Sequence, residues 1–123
     1  MKYDITHALQ ELKPGAEWAL IGSEYSGLDW LDSGQTKPTE TEITNKIASL
    51  DTAEPMKLLR VERDKRLASC DWVSAKATDT GVAVTTAWKT YRQALRDMTT
   101  QTPKLDTRYE LDLTSVNWPT QPS

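Results

Sequence analysis

The first apolar residues of the chain recur at helical spacing. Asp4 is a suitable N-cap, and the sequence KPG at 13–15 is typical of a helix end. The apolar positions between them lie on one face of a helix: Ile5, Ala8, Leu9 and Leu12. The sequences EWALI and LDWL follow, in which bulky apolar residues alternate, and GSEYSG between them supplies glycines for a connection. This pattern predicts a helix and then a β-hairpin.

A second helix has the most clearly marked start in the chain. Thr39 and Glu42 have the spacing of a capping box, and Ile43, Ile47 and Leu50 recur after them at i, i+4 and i+7. We expect the sequence DTAEP at 51–55 to end this helix. Residues 1–53 are therefore predicted to form a small α+β unit in the order helix, strand, strand, helix (αββα).

The next apolar stripe predicts a third helix that begins near Pro55 and continues to Cys70. Leu59 and Leu67 fall in one narrow arc of this helix, with Arg63 in the middle of the arc. One interpretation is that the Arg63 stem covers apolar surface while its guanidinium reaches water. The other is that Arg63 is partly buried and paired with Asp71 or Asp97, because a buried unpaired charge is too costly.

A fourth helix is predicted within the sequence TTAWKTYRQALRDMTTQTP at 85–103. Its apolar arc contains four large side chains: Trp88, Tyr91, Leu95 and Met98. Arg92 and Arg96 lie beside this arc. A connection of about 15 residues, with Asp71 and Trp72 at its start, separates the third and fourth helices. We therefore expect residues 54–102 to form an antiparallel two-helix hairpin, in which Trp88 and Tyr91 belong to the core.

The remaining residues, 103–123, have no helical period and one alternating patch, YELDL. We expect an extended C-terminal arm with at most one strand. Trp118 followed by Pro119 is its bulky anchor. That anchor either clamps back onto the domain or docks into a partner protein.

Composition narrows the functional classes. The 123 residues contain five Trp, no Phe, one cysteine (Cys70) and one histidine (His7), so neither an internal disulfide nor a Cys/His zinc site is expected. The sequence contains no nucleophile elbow, phosphate loop or His-containing metal motif, so we expect no enzyme and no cofactor. We also expect no membrane span and no cleaved leader, because no long apolar run is present. A soluble cytoplasmic protein is the resulting expectation.

Charge is distributed unevenly along the chain. Residues 1–53 contain four Lys or Arg and nine Asp or Glu, whereas residues 54–123 contain eleven and nine. Nucleic-acid binding would require a concentrated basic face, so this split argues against it. It is compatible with docking of the two halves or with a protein partner of opposite charge.

The C-terminal half resembles bacteriophage tail fibre assembly proteins, also called tail assembly chaperones. The resemblance rests on RVERDKRLASCDWV, AWKTYRQALRD and VNWPTQP, and it covers roughly the last 65 residues. The structural core that we expect within this signature has eight residues: Leu59, Arg63, Leu67, Asp71, Trp72, Trp88, Tyr91 and Leu95. The candidate partner-binding residues are Arg92, Arg96, Trp118 and Pro119, because Arg and Trp are enriched at binding hot spots.

The resemblance implies a chaperone that binds the distal part of a trimeric phage tail fibre and assists its folding, with up to three copies per fibre. It implies action in the host cytoplasm, with no nucleic acid and no membrane as partner. The alternative is a permanent minor component of the tail or baseplate that holds a fibre in the virion. Transient and permanent binding are not separated by sequence.

Overall fold

The computed structural model describes residues 2–122. It is a mixed helix and sheet protein with one two-stranded antiparallel hairpin, which confirms the predicted class at this level. The chain forms two compact units, Met1–Glu54 and Pro55–Ser123. The division into domains at residues 53/54 and 102/103 stays a prediction.

Helix α1 (Ile5–Leu12) begins at the predicted cap. The Asp4 carboxylate accepts hydrogen bonds from the backbone N–H groups of Thr6, at 3.0 Å, and His7, at 3.3 Å. In return, the Asp4 N–H donates to Nδ1 of His7 at 3.2 Å. These bonds satisfy N–H groups that the first turn of a helix leaves without a helical acceptor, so the N-cap prediction is confirmed.

The predicted hairpin consists of β1 (Trp18–Leu20) and β2 (Leu28–Trp30). The strands pair antiparallel with Trp18 opposite Trp30 and Leu20 opposite Leu28. Their inward side packs on α1 and on the beginning of the next helix. The buried residues of this core are Ala8, Leu9, Leu28 and Ile43.

Helix α2 (Glu40–Ser69) starts as predicted but is more than twice as long as expected. The Thr39 hydroxyl accepts from the Glu42 N–H at 3.1 Å, and the Glu42 carboxylate accepts in return from Thr39. The predicted stop at 51–55 is wrong, as is a separate helix starting near Pro55. Pro55 lies inside α2, where it removes one backbone hydrogen bond. Packing of Ile43 before it and Leu59 after it offsets that cost.

The predicted connection after Cys70 is also wrong, because most of it is helix α3 (Trp72–Thr80). Gly81 follows the last residue of α3. Its φ of 71° is left-handed, and its N–H donates to the Ala77 carbonyl at 3.0 Å. This is the usual position for glycine just beyond a helix. The predicted two-helix hairpin is therefore a three-helix segment.

Helix α4 (Thr86–Arg96) is capped by the Thr85 hydroxyl and continues as a 3-10 turn, Asp97–Thr100. Its apolar arc enters two clusters of the second unit. The buried members of the first are Cys70, Val73, Tyr91 and Leu95. The buried members of the second are Leu59, Met98 and Val116. Tyr91, Leu95 and Leu59 therefore lie in the core, as the periodicity indicated.

The C-terminal arm packs back onto the second unit. Within its described residues the β pairing is a single isolated bridge, between Leu105 and Leu111, followed by a 3-10 turn, Leu113–Ser115. Val116 is buried, and the Asn117 backbone exchanges two hydrogen bonds with the Gln101 side chain, at 2.7 and 3.0 Å.

Gly27 provides a stability test for the hairpin. A Cβ at this position would lie 1.9 Å from the Ile21 carbonyl oxygen, a backbone atom that cannot move freely. We expect Gly27→Ala to lower the free energy of unfolding by about 1–3 kcal/mol, as overpacking typically does. Gly34→Ala is the matched control, because the nearest atom there is 3.7 Å away. Thermal unfolding followed by circular dichroism measures both, and an equal effect of the two variants would contradict the close approach.

Candidate functional site

Arg92 is bonded to the junction between α2 and α3. Its guanidinium donates to the Leu67 carbonyl at 3.2 Å, to Cys70 Sγ at 3.0 Å and to Asp71 Oδ1 at 3.1 Å. Only 14% of the side chain is exposed. Burial acts to lower the pKa of Arg92, but the bonds to Cys70 and Asp71 outweigh it and raise the pKa. Arg92 is therefore charged, and its guanidinium makes hydrogen bonds within the fold. Its predicted partner-binding role stays a prediction.

Arg63 also pairs within the fold, but with a different carboxylate from those expected. Its guanidinium donates to Asp64 Oδ1 at 3.0 and 2.9 Å, and 21% of the side chain is exposed. The predicted pairing with Asp71 or Asp97 is wrong. Asp71 bonds Arg92 instead, and Asp97 accepts from Gln93.

Arg96 is exposed at the end of α4. Its one hydrogen bond among the described residues goes to the Gln93 side chain at 3.3 Å. That contact is long and lies on the surface, so it holds Arg96 weakly. Arg96 thus keeps a charge that a partner could contact, unlike Arg92.

Trp118 is half-buried and clamps the arm. The Arg66 guanidinium lies over the Trp118 ring, 4.0 Å from its centre, and the indole N–H donates to the Leu113 carbonyl at 3.1 Å. The ring packs against both clusters of the second unit. This is the clamped arrangement of the two that the sequence left open. Pro119 beside it lines an open hollow of about 490 Å³ between α4 and residues 119–122.

Helix α3, residues 81–85 and the start of α4 enclose a shallow hollow of about 270 Å³, which we call the aromatic groove. Its apolar lining consists of Trp72, Val73, Ala77, Val82, Ala83, Val84 and Trp88. Trp72 is 51% exposed and Val82 is 69% exposed. Scattered exposed apolar residues are ordinary, but an exposed Trp and Val around one hollow form a patch that suits an interface.

Aromatic contacts fix the floor of the aromatic groove. The rings of Trp72 and Trp88 meet edge to face at 5.4 Å, and those of Trp88 and Tyr91 at 5.9 Å. Such pairs contribute about 0.5–1.5 kcal/mol beyond simple burial. Because Tyr91 is buried in the core, this chain of rings connects the exposed Trp72 to a rigid interior.

Across residues 2–122 no three His, Cys, Asp or Glu side chains are grouped so that they could hold a metal ion. In the same part of the chain, no helix combines the length and the apolar character needed to cross a bilayer.

Comparison with known proteins identifies the second unit. The family model for phage tail assembly chaperone protein matches residues 56–123, which is more than half of the chain. The chain belongs to the phage tail assembly chaperone family. The resemblance inferred from the sequence is thereby confirmed. No curated protein and no solved structure matched the chain.

In this tail assembly chaperone, the matched residues 56–123 contain the core of the second unit and the aromatic groove. Leu59, Tyr91 and Leu95 are buried, and Leu67 and Trp88 are partly buried. Trp72, in contrast, was expected in the core but half of it is exposed. The sequence reasoning missed Val82 and Lys76 in the groove, because their positions depend on α3. The one sequence feature that could have indicated α3 is Gly81, because glycine often follows the last residue of a helix.

The Arg92 contacts predict a structural role that separates it from Arg96. We expect Arg92→Ala to lower the free energy of unfolding by about 1–3 kcal/mol, because it removes three hydrogen bonds, one of them to the sulfur of the buried Cys70. Arg96→Ala is the control and should change it by less than about 0.5 kcal/mol. Urea unfolding of both variants measures the difference. Equal stability of the two would contradict the structural role of Arg92.

Proposed function

We propose that this chaperone binds the distal part of a trimeric phage tail fibre and assists its folding and assembly. Membership of the tail assembly chaperone family supports a role in tail assembly, and the fibre is the client that we infer. Intertwined β structures form slowly and expose apolar surface and strand edges on the way. A helper that covers such surface would raise the yield of correctly assembled trimers.

The observation that carries this proposal is the half-exposed Trp72 at the aromatic groove. Most other large signature residues are used in the core, where they explain stability rather than binding. Trp72 exposes a large apolar ring to solvent while its edge contact with Trp88 holds that ring in place. A rigid, exposed aromatic side chain loses little entropy on binding, which is why Trp is enriched at hot spots.

The proposed role needs neither catalysis nor a cofactor, since binding apolar surface is sufficient. We place the protein in the host cytoplasm during assembly. If the fibre is a trimer, three copies of the chaperone per fibre match its symmetry, because each chain of the fibre presents the same surface.

Co-expression tests the chaperone role. We expect the tail fibre protein of the same phage to form soluble trimers in higher yield with the chaperone than without it. If the fibre folds into soluble trimers equally well alone, the chaperone role is lost. Mass spectrometry of purified particles tests the alternative, and a copy number equal to that of the fibre would favour a permanent tail component.

Substitution tests the groove as the binding surface. We expect Trp72→Ala to weaken fibre binding by about 2 kcal/mol or more, which is roughly 30-fold, measured by titration calorimetry. Val82→Ser should weaken it less. Val61→Ser is the matched control, because Val61 is 61% exposed but lies on α2 and does not line the groove. Unchanged binding by Trp72→Ala and Val82→Ser would exclude this surface.

A further inference from the structure

The charges around the aromatic groove indicate which kind of protein segment would bind there. We propose that the groove receives an acidic client segment, a stretch of the fibre in which an apolar side chain is flanked by Asp or Glu carboxylates. This inference rests on the proposed function, because it specifies the chemistry of the same binding surface.

The size of the groove suits a side chain better than a small molecule. Its volume of about 270 Å³ lies at or below the low end of the range for small-molecule pockets, roughly 300–1,000 Å³. The lining is mainly apolar and includes Trp72, Val82 and Val84. One or two aliphatic or aromatic side chains of a protein partner would bury the exposed parts of these residues.

The one charged residue that lines the groove is basic, and further charged residues lie beside it on α4. Lys76 is the charged residue among those that line it. Lys89 follows the lining residue Trp88 on α4, and Arg96 lies about 10 Å beyond Lys89 on the same flank of the helix. Across residues 2–122, neither Lys76 nor Lys89 takes part in an ion pair. These cations are therefore available to a partner.

The nearby carboxylates do not cancel this charge. Asp71 forms an ion pair with Arg92 at 3.1 Å, so the charges of these two side chains offset each other. Asp79 and Lys89 lie outside the lining, as do Arg96 and its neighbour Asp97, and each of these two pairs has no net charge. Lys76 remains as the charged residue of the lining. The apolar groove thus has a net positive border, which is complementary to an apolar side chain with carboxylates beside it.

Exposed charges of this kind act mainly on the rate and selectivity of association. Each exposed pair contributes little to affinity, but together they attract an acidic segment and disfavour a basic one. Their effect falls with added salt, because the Debye length is short at physiological ionic strength. The apolar contact with Trp72 should depend much less on salt.

Charge reversal tests the inference. We expect Lys76→Glu/Lys89→Glu to weaken binding to the recombinant tail fibre protein by about tenfold at low salt, near 50 mM NaCl. The loss should shrink to about twofold or less near 300 mM NaCl. Lys65→Glu/Lys104→Glu is the matched control, because it changes the net charge equally at exposed positions outside the groove. It should bind within about twofold of the unmodified protein at both salt concentrations. Thermal unfolding confirms that each variant is folded, and Lys76→Gln replaces the double variant if it is not.

The outcomes separate this inference from the proposed function. If Trp72→Ala loses fibre binding while Lys76→Glu/Lys89→Glu keeps it, the groove binds the fibre but the acidic segment is excluded. If the control variant weakens binding equally, net charge rather than the groove is responsible, and the inference is overturned. The acidic first half of a second copy is the competing occupant. A charge reversal that abolishes self-association in sedimentation while fibre binding is kept would identify that occupant and overturn the proposal.

Discussion

The second unit depends on the bonds that Arg92 makes with the junction between α2 and α3. A single guanidinium joins Leu67 in the last turn of α2 and Cys70 just beyond that helix to Asp71 at the start of α3. These bonds fix the direction in which α3 leaves α2. They therefore place Trp72 against Trp88 and position α3 beside α4, where the aromatic groove lies. Arg92 was predicted from the sequence as a partner-binding residue. Its contacts support, from within the fold, the binding surface that we propose.

This arrangement divides the family signature into two kinds of residue. Leu59, Tyr91 and Leu95 are buried and stabilise the unit, and Trp118 returns the arm to the same two clusters. Trp72 is connected to that interior by edge-to-face contacts but keeps half of its surface exposed. Its orientation is therefore fixed before a partner arrives. Such preorganisation lowers the entropy that binding would otherwise cost.

The sequence predicted the features that depend on residues close to one another along the chain. The Asp4 cap, the Thr39 capping box, the hairpin and the buried face of α4 all follow from side chains within a few positions. Pro55 was misread as the start of a new helix after a boundary at 51–55, because the packing on both of its sides that keeps α2 continuous is not local. Helix α3 was missed because its Thr- and Val-containing sequence has low intrinsic helix propensity, which tertiary contacts such as that of Val73 override. The predicted pairing of Arg63 with Asp71 failed because Asp71 binds Arg92 of α4, a contact between residues far apart in the chain, whereas the actual partner, Asp64, is the next residue. Because the groove is built on α3, its Val82 and Lys76 were also beyond sequence reasoning.

Hydrogen–deuterium exchange of the chaperone with and without its recombinant tail fibre tests the account most directly. Our account predicts that the fibre slows exchange at the backbone amides of α3 and residues 81–85, with little change at the exposed face of α2 around Val61. Protection confined to residues 1–53 or to the C-terminal arm, with none at the aromatic groove, would contradict it.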